Sequence, residues 1–136
     1  MRSVNIIGAA CVIAFSLLGG PALAQDKMTA EEFDAYVTGR TVTYRTAQNP
    51  SFGVERYLQG RRVMWSTAEG ICQYGVWFES KGDICFRYEN DPEHKCWSIF
   101  NEPDGIRAVY TTRPPFTVIY EILDREDPLI CHDLSS

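Results

Sequence analysis

The sequence predicts an all-β protein: an eight-stranded antiparallel up-and-down barrel with one short N-terminal helix. Three observations lead there. One capping box opens the only helical pattern after the N-terminal region, eight short β-rich runs follow it, and turn residues punctuate every gap between them. A meander of eight strands has exposed edges unless it closes, and closure into a barrel removes them. A two-sheet sandwich is the alternative arrangement of the same strands.

The N-terminus reads as an export signal. Arg2 carries the positive charge, Val4 to Leu18 is almost wholly apolar, Gly19-Gly20-Pro21 breaks the run, and Ala22-Leu23-Ala24 is a small-x-small cleavage pattern. The run is too short for a membrane span, which needs about 20 residues. Cys11 lies inside the run with Gly8 where a lipobox prefers Leu, so lipidation is disfavoured. Cleavage after Ala24 takes 24 of the 136 residues and leaves 112, Gln25 to Ser136, enough for a single domain. With Arg2 gone, 12 basic residues face 18 acidic ones, a net charge near −6. That balance argues against nucleic acid and anionic lipid as partners.

The helix is expected over residues 30–38. Thr29 and Glu32 form its capping box, Phe33, Tyr36 and Val37 fall at helical spacing, and Gly39 ends it. The strands are expected near 41–46, 52–58, 61–66, 71–78, 83–89, 95–101, 106–112 and 116–123, followed by a tail, 124–136. Alternation assigns their faces. Ile84, Phe86 and Tyr88 point one way, against Asp83, Cys85, Arg87 and Glu89; Phe116, Val118, Tyr120 and Ile122 point one way, against Thr117, Ile119 and Glu121.

Four cysteines remain after cleavage, and an even number in an exported chain implies two disulfides. A hairpin turning between Asn90 and Asp91 sets Cys85 opposite Cys96, Ile84 opposite Trp97 and Arg87 opposite His94. Cys72 is then left for Cys131. A two-residue loop at Ser80-Lys81 sets Trp77 opposite Ile84 and Gly75 opposite Phe86, where the glycine leaves a gap for an aromatic ring. The cysteine spacings, C-x₁₂-C and C-x₁₀-C, suit neither a tetrahedral metal site nor a C-x-x-C redox pair, so no metal is expected.

The remaining candidate sites compete with plainer roles. His94 sits in a turn and His132 near the terminus, with no nucleophile signature beside either, so no catalytic residue and no cofactor are expected. The acidic clusters at 89–93, 102–104 and 124–127 lack EF-hand order and have turn composition. Arg56, Arg61 and Arg62 surround the Gln59-Gly60 turn; with Arg107 or Arg113 they form either an anion site or a solvated charged edge. Trp65, Trp77, Trp97, Tyr110 and Tyr120 all suit the apolar face of their strands. These rings either line a cavity for a flat or lipid-like molecule or fill the barrel themselves.

The segments Gly39-Arg40-Thr41-Val42-Thr43-Tyr44, Gly75-Val76-Trp77, Ile84-Cys85-Phe86-Arg87-Tyr88-Glu89 and Cys96-Trp97 resemble a family of small exported proteobacterial domains with lipocalin-like barrels. The likeness spans about residues 39–122. It implies a fold and a compartment, and attaches no settled activity; the Gly-x-Trp lies in a middle strand here, where lipocalins carry it in the first. The functional expectation is a non-catalytic periplasmic or secreted binding protein holding a small apolar or aromatic ligand. The alternative is a protein-interaction module, such as an inhibitor of a lysozyme or secreted protease, that presents residues 89–95 or 101–105 to an envelope protein.

Overall fold

Thr29 caps helix α1 (Ala30–Val37): its Oγ1 accepts from the Glu32 amide at 3.2 Å, and the Glu32 carboxylate accepts from the Thr29 amide at 2.8 Å. These residues belong to a computed structural model that describes residues 25–132. The expected signal peptide, 1–24, and residues 133–136 lie outside the described residues. Phe33 and Val37, one turn apart on the inner face of α1, are completely buried, so the helix is held by what it covers.

Eight strands follow: β1 (Thr41–Arg45), β2 (Gly53–Leu58), β3 (Arg62–Thr67), β4 (Cys72–Ser80), β5 (Asp83–Tyr88), β6 (Lys95–Glu102), β7 (Gly105–Tyr110) and β8 (Val118–Glu121). Each pairs antiparallel with the next, and β8 pairs with β1, closing the barrel. The closed barrel, not the sandwich, is the fold. Along every strand alternate residues face inward, so Val42 and Tyr44 of β1 share the interior with Glu55 and Tyr57 of β2. Among the described residues no helix is long and apolar enough to cross a membrane.

Both disulfides are present. Cys85 and Cys96 are direct partners across β5 and β6, in the register that also opposes Ile84 and Trp97. The ladder stops at Phe86 and Lys95, so Arg87 and His94 are not a pair within it. Cys72 bonds Cys131 with Cα atoms 5.3 Å apart, and the tail beyond β8 crosses the outside of the barrel to get there. On the way the Asp127 amide donates to Thr43 Oγ1, and Ser66 Oγ donates to the Ile130 carbonyl at 2.6 Å. The two bonds fit an oxidising compartment.

Two local expectations are corrected. The β4–β5 turn is Lys81-Gly82, not Ser80-Lys81; both residues have positive φ (54° and 79°), the geometry of the hairpin turn that matches strand twist. The register therefore shifts by two residues. Trp77 faces Phe86 and Gly75 faces Tyr88, while the apolar face is unchanged because the side-chain period is two. In β8 the faces are reversed. Its pairing with Tyr44 of β1 and Ala108 of β7 turns Glu121 and Ile119 inward, leaving Tyr120 outside and Phe116 58% exposed.

Candidate functional site

The two ends of the barrel are built differently. At the end where β1 begins, α1 and the segment before it close the opening. Met28 donates its amide to the Ile99 carbonyl, and Phe33 enters the interior to meet Trp77 edge-on at 5.1 Å and Tyr57 at 5.7 Å. Val42, Val63, Ile84 and Ile106 complete a filled core. The inward carboxylate of this end, Glu121, is fully partnered. It accepts from Tyr36 Oη (2.7 Å), Arg40 Nη2 (2.6 Å) and the Ile106 amide (3.0 Å), so it fastens helix, loop and barrel together.

At the opposite end the interior is hollow. A cavity of about 160 Å³ is walled by Tyr44, Phe52, Tyr57, Trp65, Phe86, Tyr88 and Trp97, with Ile99, Ala108 and Ile119 along one side and Gln73 and Lys95. Two strand glycines make room for these rings. A Cβ on Gly53 would collide with the Trp65 ring, and one on Gly75 with the Tyr88 ring and the Arg87 carbonyl.

Glu55 projects from β2 into this space and is 2% exposed. Its one hydrogen-bond donor among the described residues is Tyr88 Oη, 3.0 Å from Oε2. Tyr44 and Tyr57 hydroxyls bond each other at 2.9 Å. Burial raises the Glu55 carboxyl from its ordinary range to about 8, with the Tyr88 hydrogen bond opposing the rise. Burial also pushes Tyr44, Tyr57 and Tyr88 upward, so all three stay neutral at ordinary pH.

The rings expected from the sequence to share one face are divided among four places. Trp65 and Trp97 line the cavity. Trp77 belongs to the filled end, 2% exposed, with its Nε1 meeting no partner among the described residues and the Arg61 guanidinium 4.4 Å from its ring centre. Tyr110 packs on Trp97 (5.0 Å) and donates to Glu93. Tyr120 lies outside against the Arg45 guanidinium, a correction that follows from the reversed faces of β8. Glu55 was missed, although Gly53, Glu55 and Tyr57 share one face by simple alternation.

The other candidates are dispersed. Arg56 reaches Thr41, Arg61 lies beside Asp34, Arg62 bonds the Gln59 carbonyl, Arg107 pairs with Glu102 and Arg113 with Glu93. His94 is exposed with its ring edge-on to Phe78, and His132 covers Gly70. Among the described residues no three His, Cys, Asp or Glu side chains gather as a metal site. Comparison with protein-family models, curated proteins and solved structures finds no match to this chain.

Proposed function

We propose that this chain is an exported, non-catalytic, lipocalin-like binding protein that holds a small apolar or aromatic ligand in the open end of its barrel. The observation that carries the reading is the cavity itself. Buried side chains occupy one end, while the other keeps about 160 Å³ of space behind aromatic walls. An apolar cavity of about 150 Å³ holds one benzene ring, which sets the scale of the ligand. Strand glycines at 53 and 75 accommodate the very rings that line the space, so the hollow is built into the backbone.

Export rests on the N-terminal pattern of residues 1–24 and fits the two disulfides. The alternative, a loop entering a partner's cleft, has less support. Residues 89–95 are tied down by the Asp91–Lys95 ion pair and by Glu93, which meets Arg113 and Tyr110, and 102–105 form a tight turn. Native mass spectrometry of the mature chain, beside the same sample denatured, tests the proposal. A small added mass in the native spectrum alone is the expected result. A bare native chain that also takes up no small aromatic compound sinks it.

A further inference from the structure

The two buried carboxylates differ in what answers them. Glu121 has three donors, one of them a guanidinium; Glu55 has a single tyrosine hydroxyl. Among the described residues no cationic side chain bonds Glu55 from inside the cavity. Lys95 is at the cavity wall, and its Nζ is already held by Asp91 at 2.6 Å. A carboxylate buried with lone pairs to spare is costly unless a donor or a positive charge arrives to meet it. The surrounding walls are largely aromatic rings, whose faces attract cations, and the space is of the size that holds one ring.

We propose that the cavity takes a small organic cation, a protonated amine bearing one apolar group of ring size. The nitrogen lies at the Glu55 carboxylate and the apolar group against Trp65 and Trp97. This rests on the cavity being the binding site, and it adds the ligand's charge and the residue that selects it.

A consequence for pH follows. The titratable groups facing Glu55 are Tyr44 from β1, Tyr57 from β2, Tyr88 from β5 and, at the wall, Lys95 from β6; the other strands contribute none to the cavity. The tyrosines stay neutral, so Glu55 is the group that changes charge near neutrality. The empty protein holds a proton on Glu55 up to about pH 8. An arriving ammonium expels it, so binding releases one proton and tightens with rising pH until the carboxyl is ionised.

The test is calorimetric titration of the mature, oxidised protein with three probes of one shape: 2-phenylethylamine, 2-phenylethanol and 3-phenylpropanoate. In the unmodified protein the amine is expected to bind at least about tenfold tighter than the alcohol, with the anion weakest. Its affinity should rise about tenfold per pH unit from pH 6 to 7.5, with close to one proton released to buffer. Glu55→Gln should abolish the amine's advantage over the alcohol and the pH slope of its binding. Alcohol binding as tightly as amine overturns the cation assignment and leaves the cavity reading intact. An unchanged amine preference in Glu55→Gln overturns it as well. Failure of all three probes to bind overturns both readings. The probe comparison needs no variant, so it stands even where Glu55→Gln folds poorly.

Discussion

The closed and open ends of this barrel are made from the same materials with opposite outcomes. Each presents large rings and one inward carboxylate. At the closed end the rings interlock with Phe33, and Glu121 is saturated by three donors. At the open end the rings stand apart around a space, and Glu55 keeps one donor. The helix makes the difference, because it brings Phe33, Tyr36 and the start of the Arg40 loop to one end only. Groups are mutually satisfied at the closed end, and the proposed binding site lies where they are not.

The sharpest way to break that contrast is to empty the closed end. Phe33→Ala should cost about 4 kcal/mol, read as a lowered urea midpoint at unchanged slope. A loss under about 1 kcal/mol would mean that the end is not closed by α1. Next is Glu55→Gln, whose effect is a gain. Between the ordinary carboxyl value of 4.5 and about 8 the folded protein keeps a proton that the unfolded chain has released. Stability therefore falls as pH rises through that window. Replacing the acid by an amide removes the fall, so the variant should exceed the parent by on the order of a few kcal/mol at pH 9 and match it near pH 4. Parallel stability curves for the two proteins across that range would count against an underpartnered Glu55.

Glu121→Ala should lose stability, by about 2 to 3 kcal/mol, since it strands the Tyr36 hydroxyl and the Ile106 amide. Arg40 is partly exposed and can turn to water, which limits the cost. A double-mutant cycle with Arg40→Ala separates the ion pair from the rest. The smallest change belongs to the open end. Trp97→Ala trims a ring that already borders empty space, so its cost should stay near 1 kcal/mol by thermal unfolding while aromatic ligand binding weakens severalfold. A loss as large as that of Phe33→Ala would make the two ends equivalent.

Much of the fold was legible because local signals agreed with one another. Thr29 and Glu32 mark the helix start, and the Cys85–Cys96 register follows from one hairpin whose other face pairs Ile84 with Trp97. The misreadings share a cause. In β8, Val118 and Tyr120 on one side compete with Ile119 on the other, and only Glu121 breaks the tie; it breaks it falsely, because this charge goes inward to a prepared set of donors. Tyr120 was misplaced for the same reason. Glu55 and Arg56 are adjacent charges, and their residue types alone do not tell that Glu55 is the inward member of the pair. Inward charges defeat alternation, since the pattern assumes that polar means outside. The division of the rings into a filled end and a hollow one depends on where α1 docks, and no single strand carries that information.

The seam between β1 and β8 has a further implication for how the molecule comes into being. Only Tyr44 with Glu121 and Arg45 with Tyr120 pair across it, although about 75 residues separate the partners in sequence. Every other ladder joins neighbours along the chain and can zip as soon as its hairpin is made. The seam must wait for the last strand, as must the bond from Glu121 back to Tyr36 and Arg40. Such distant closure raises contact order and places folding in the slow, millisecond-to-second range of β proteins. Until β8 arrives the sheet has two bare edges, one of them beside the helix that will later cap the barrel. The final strand therefore acts as a lock that admits only a complete chain, and a version ending at Thr117 should be held as an open, aggregation-prone sheet.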